Sequence, residues 1–194
     1  MPHIHILPNQ HDMTVSAYIM RQEQGVWKCL VHFHKKFDTL MQIGGHIELD
    51  QTPWQAIVAE LREEAGYLPS DLQVLQYTKG SPAVHAAIVH PIPLTMNTHY
   101  VGDEHFHSDM CFGFVTQYEP RYAPDDGEST DIRWLDIEHL RENANQGNAL
   151  KDVADIYEFM LANIDSFTRL EASVFSTDKP LIPSATYKRG RPGR

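Results

Sequence analysis

The sequence predicts an α/β domain, because strand-like and helix-like segments interleave along its 194 residues. Five runs, at 14–20, 27–34, 84–92, 110–117 and 132–135, mostly show two-residue alternation or β-branched enrichment. Longer stretches from 53 and from 150 instead repeat apolar residues at helical spacing. With 42% hydrophobic residues the chain can bury a sizeable core, so one domain is expected over 1–165, followed by an extension over 166–194.

Taken in order, the first two strands lead to an apolar run that Gly44 and Gly45 end, and Glu48 lies between these glycines and the first helix. That helix carries its own start signals. Thr52 serves as N-cap, Pro53 occupies the first turn, and Gln55 completes a capping-box pattern. Trp54, Ile57, Leu61 and Ala65 form its apolar stripe, and Gly66 stops it. The strands at 84–92, 110–117 and 132–135 follow, then a short helical turn over 137–142. The last helix, 150–164, shows the stripe Val153, Ile156, Tyr157, Met160 and Ile164. Beyond 166 apolar periodicity fades, Pro180, Pro183 and Pro192 appear, and the chain ends KRGRPGR. A flexible basic tail is expected, read either as a passive extension or as a contact for anionic partners.

Composition narrows the function classes. A formal charge of −10 argues against a stable nucleic-acid complex, which needs a basic surface. No apolar run approaches the ~18 residues of a membrane span, and the first residues lack a signal-peptide pattern. Cys29 and Cys111 sit inside strand-like segments without metal-type spacing, so buried reduced thiols and a cytoplasmic location are expected.

The chemistry is concentrated on the first helix. Glu60, Glu63 and Glu64 stand at i, i+3 and i+4, on one side of the helix and beside its apolar stripe. Two readings stand: a solvated acidic face balanced by Arg62, or a site where a hard divalent cation relieves the repulsion. The upstream glycines favour the second, since glycine permits close approaches that a side chain forbids. A bound cation would also reconcile an acidic chain with an anionic substrate.

The segment GGHIELDQTPWQAIVAELREEAGY, residues 44–67, resembles the Nudix box, the loop-helix signature of hydrolases acting on a nucleoside diphosphate linked to another group. Gly45, Glu60, Leu61, Glu63, Glu64, Gly66 and Tyr67 fall on its positions. Gln51 and Ala59 depart from it, standing where the pattern has Glu and Arg. Because one negative and one positive partner vanish together, local charge balance is expected to survive.

The resemblance covers roughly residues 12–165 and implies an α/β/α sandwich with a mixed β-sheet. It further implies Mg²⁺ or Mn²⁺ held by Glu60, Glu63 and Glu64, with Glu64 as the catalytic proton acceptor and Glu63 beside it. The substrate would be a small-molecule nucleoside diphosphate derivative and the reaction hydrolysis of a pyrophosphate bond. The alternative is a catalytically impaired nucleotide-binding or regulatory module, with Gln51 and Ala59 marking lost catalysis. A homodimer is compatible with the resemblance, although nothing in the sequence identifies an interface.

Residues Glu128 to Leu140 resemble the family's late strand and turn, and that likeness implies Glu128, six residues before Trp134, as a fourth metal ligand, with an ordinary loop acid as the alternative; Asp125 and Asp126 are weaker substitutes. The sequence holds 12 histidines, several in HxH pairs: His3/His5, His32/His34 and His105/His107. On a strand each pair would face one way and offer two imidazoles to a transition metal, or simply be solvated or hydrogen-bonded. GGHIE and EHFHSDM resemble a Nudix subgroup with GGHxE in the box and HxD at a later strand. That likeness implies a substrate-binding group of Gly44, Gly45, His46, Glu48, His107 and Asp109, or a structural cluster supporting the box loop. Trp27, Phe37, Tyr100 and Phe106 are candidates for base stacking or for the core.

Overall fold

The computed structural model describes residues 10–80, 84, 87–101 and 105–178. In chain order the elements are β1 (His11–Glu23), β2 (Val26–His34), β3 (Thr39–Met41), β4 (Ile43–His46), α1 (Pro53–Glu63), β5 (Gln73–Gln76), β6 (Thr95–Val101), β7 (His105–Thr116), β8 (Ile132–Leu135), α2 (Ile137–Asn145), α3 (Lys151–Ala162) and β9 (Thr168–Glu171). Short 3-10 turns occupy Pro69–Asp71 and Ala172–Val174.

Among the described residues, nine strands join one mixed sheet built on two long parallel strands, β1 and β7, which pair from His11↔Phe106 to Arg21↔Thr116. The remaining pairings are antiparallel. One edge of β1 takes β4 along residues 14–17 and β2 along residues 20–23. β7 takes β6 and then β5, with β9 outside β5.

Side chains alternate across this sheet and divide the core in two. Val15, Ala17, Ile19, Phe112 and Phe114 face α1, where Trp54, Ile57, Leu61 and Ala65 are buried as the stripe predicts. Tyr18, Met20, Cys111 and Val115 face α2 and α3, meeting Leu140, Val153, Tyr157 and Met160. The result is the α/β/α sandwich. Tyr157 locks the second layer: its hydroxyl donates to Leu30 O at 2.5 Å and accepts from Ile19 N at 3.1 Å, satisfying a fully buried polar group. Ile156 and Ile164, at the margin of the stripe, are only partly buried.

Local signals set the helix ends. The capping box of Thr52 and Gln55 forms in both directions, at 3.2 Å and 2.8 Å. α2 is longer than the expected turn and runs to Asn145; Asp136 caps its start by accepting from His139 N at 2.9 Å. Gly66 adopts φ +72°, where an added Cβ would lie 2.0 Å from Tyr122 O, so the helix must stop at a residue without a side chain.

Two expectations change. The strand expected over 84–92 does not form across its described part, 84 and 87–92: prolines at 91 and 93 cannot donate to a ladder. There the Gln76 side chain clamps Ile92, accepting from its N–H at 2.9 Å and donating to its carbonyl at 3.0 Å, and β6 starts only at Thr95. The extension expected from 166 opens with chain built into the domain. β9 pairs β5, and Trp54 Nε1 donates to Phe175 O at 3.2 Å. The basic end and its prolines lie outside the described residues, as do His3 and His5.

Candidate active site

α1 lays its stripe on the first face of the sheet, and this orientation draws Glu60 and Glu64 inward while Glu63 stays exposed. Glu60 and Glu64 are each only 6% exposed. Burial, reinforced by the charges of Glu63 and Glu128, pushes Glu60 up to about 7. Burial and then the charge of Glu60 push Glu64 up to about 9, against the opposing hydrogen bond from Gly44 N to Glu64 Oε2 at 2.9 Å. Glu48 adds to the repulsion on Glu60. Among the described residues no lysine or arginine ion-pairs with Glu60, Glu63 or Glu64, and the expected balancing residue, Arg62, turns away to Asp125 at 2.7 Å.

That turn seats the fourth acid. Asp125 N donates to Glu63 O at 2.8 Å, and Lys35 Nζ donates to Glu128 O at 2.8 Å and Gly127 O at 3.4 Å. Held from both sides, the 125–128 turn brings the Glu128 side chain within hydrogen-bonding reach of Glu64. Asp125 is engaged by Arg62.

The two departures from the box pattern have visible consequences. Gln51 closes the loop, its Oε1 accepting from Glu48 N at 3.1 Å and its own N–H donating to Glu48 O at 2.9 Å. Ala59 brings no cation to the glutamates. At Gly44 an added Cβ would lie 2.2 Å from Val15 O, so only glycine lets the loop approach β1 while presenting its N–H to Glu64.

The predicted group at Gly44, Gly45, His46, Glu48, His107 and Asp109 is divided by the sheet. Gly44 and Glu48 stand with the glutamates. His46 pairs across from Thr14, and with His107 and Asp109 it belongs to the other face, in line with Cys111 and Tyr18. His46 Nε2 lies 3.3 Å from His107 Nε2. Asp109 is committed inward, accepting from Thr14 Oγ1 at 2.9 Å and Cys111 Sγ at 3.1 Å. His32 and His34 form a ring pair 5.9 Å apart; burial drops His32 to about 4, and His34 packs on Phe37. Tyr100 and Phe37 are exposed, Tyr100 against Phe106 at 4.4 Å, while Trp27 is half-buried beneath Arg169. Asp12, buried beside the histidines, has no sequence motif that would single it out, and Lys35 none that ties it to Glu128.

The donor set of the glutamate cluster fits a hard divalent cation, since its donors are carboxylate oxygens with no lysine or arginine paired to them among the described residues. Among the described residues no helix is long and apolar enough to cross a membrane.

The family model for the NUDIX domain matches residues 10–153. No curated protein matches the sequence significantly. Among solved structures, a NUDIX-family hydrolase from Clostridium perfringens superposes with a TM-score of 0.60 at 24% identity, over 78% of this chain and 97% of that one. The NUDIX domain of Shewanella oneidensis NrtR, solved with ADP ribose, gives 0.56 at 14% identity over 82% and 90%. The dihydroneopterin triphosphate pyrophosphohydrolase of E. coli gives 0.55 at 13% identity over 82% and 99%. At these identities the likeness concerns the fold.

Proposed function

The chain belongs to the NUDIX family, and on that premise we propose that it is a metal-assisted pyrophosphohydrolase acting on a nucleoside diphosphate linked to another group. The observation that carries this reading is the convergence of Glu60, Glu64 and Glu128, two of them raised by burial and then by the neighbouring acids, with no lysine or arginine paired to Glu60 or Glu64 among the described residues.

Glu60, Glu63, Glu64 and Glu128 would hold Mg²⁺ or Mn²⁺, which supplies positive charge to phosphate oxygens and orients an attacking water. Glu64 is the proton acceptor in this reading. Its Oε2 accepts from the Gly44 N–H, which orients the carboxylate. The Gly44–Gly45 loop fixes that carboxylate without adding a charge, and Gln51 keeps the loop closed. Lys35 and the 125–128 turn hold Glu128 against Glu64, so the acids are positioned before substrate arrives. No covalent nucleophile is required.

The substrate panel follows from the family and the neighbours: ADP-ribose, dinucleoside polyphosphates, nucleotide sugars, pterin and nucleoside triphosphates. Phosphate or nucleotide release with Mg²⁺ should appear for at least one of these and should be lost in Glu64→Gln. Equal inactivity of the folded wild type and Glu64→Gln across the panel would refute the reading.

A further inference from the structure

Across the sheet from α1, four side chains that the proposed reaction does not use meet at the edge of the second layer. Asp12 on β1 stands in register with His107 on β7, and His105 points the same way two residues earlier. His46 reaches them from the end of β4. His105 Nε2 lies 3.5 Å and His46 Nε2 3.6 Å from one and the same atom, Asp12 Oδ2. His46 Nε2 is 3.3 Å from His107 Nε2, and ligand atoms of Asp12, His105 and His107 all fall within 4.8 Å of one another.

Four donors set 2.0–2.1 Å from a tetrahedral Zn²⁺ stand about 3.3 Å apart. The three short separations here are close to that edge length; the ligand atoms that all lie within 4.8 Å of one another are those of Asp12, His105 and His107, and His46 stands against Asp12 and His107. The carboxylate is 1% exposed and three of its neighbours are imidazoles, so the cluster gathers groups that ligate metal through oxygen and nitrogen. Imidazole nitrogen selects Zn²⁺ and its transition-metal relatives, whereas Mg²⁺ takes oxygen donors.

We propose that Asp12, His46, His105 and His107 form a second metal site, which binds one Zn²⁺-class ion and is separate from the glutamate cluster. Its ligands come from three strands far apart in sequence, so the ion ties β1, β4 and β7 together. It also reaches the box loop: His46 lies two residues after Gly44, whose N–H holds Glu64.

The test uses the full chain, stripped with a chelator, dialysed and titrated with Co²⁺ while visible absorption is recorded. One equivalent should give the intense bands of tetrahedral Co²⁺, which Zn²⁺ displaces and Mg²⁺ does not. His107→Gln, at a half-buried position, and His46→Gln should each weaken binding about tenfold or more. Glu64→Gln should leave it unchanged, and circular dichroism should show every variant folded. The proposal is overturned if the folded wild type gives no tetrahedral spectrum, if both histidine variants retain it, or if Glu64→Gln removes it.

Discussion

Two buried carboxylates of this protein have opposite surroundings. Asp71, at the corner before β5, is almost inaccessible, and burial alone would raise it. Arg121 outweighs that, donating through Nε at 2.7 and 2.9 Å to the two oxygens, while Leu68 N adds a bond at 3.0 Å; Asp71 is held below the ordinary carboxylate range. Glu64, on the next helix upstream, receives one backbone N–H and faces two further acids, and it is pushed up to about 9. The first carboxylate has its positive partner built into the chain. The second lacks one among the described residues, and that difference separates a structural acid from a site prepared for a cation.

The largest effect should come from removing the charge at Glu64. Glu64→Gln should cut pyrophosphate hydrolysis by about 1,000-fold, within the range for a lost general base. It should also raise the unfolding midpoint of the chelator-treated protein, because a repelled buried acid is gone; a lower midpoint would break the comparison.

The two regions are joined at Gly66, whose carbonyl accepts from Arg121 N at 2.9 Å and Tyr122 N at 3.2 Å. Gly66→Ala forces a Cβ onto Tyr122 O and should cost about 3 kcal/mol in urea unfolding. Next comes Arg121→Gln, which turns Asp71 into an acid without its cation. Because the folded state holds Asp71 below its ordinary value, the stabilisation is complete above about pH 4 and is lost as pH falls through the folded value. The variant should therefore melt lower than wild type at pH 7, with the gap closing under strong acid. The smallest effect is expected from Lys35→Met, which releases the backbone holding Glu128: turnover should fall a few-fold while the melting midpoint barely moves.

What was legible in the sequence was local. The start of α1 and its three glutamates lie within a dozen residues, where periodicity and capping act, and the strand Ile132–Leu135 declares itself by composition. β6 leaves no mark in the sequence because nearly every side chain on it is exposed and gives no apolar alternation, and β5 and β9 are only four residues long. The site followed the same rule. Glu128 is marked in the sequence only by resemblance to a family, whereas what brings it to Glu64 is a backbone bond from Asp125 and a lysine 93 residues away. Asp12 and His107 meet only because β1 and β7 pair in parallel register, which no spacing along one chain announces.

The central claim is that a hard cation settles where the carboxylates lack a partner. Its most direct measurement is the unfolding midpoint as a function of Mg²⁺ concentration for wild type, Glu64→Gln and Asp71→Asn, each first stripped of metal. A ligand that binds only the folded state raises the midpoint in proportion to its occupancy. The account predicts a saturable rise for wild type, the same rise from a lower starting midpoint for Asp71→Asn, and little or none for Glu64→Gln. An undiminished rise in Glu64→Gln would contradict it.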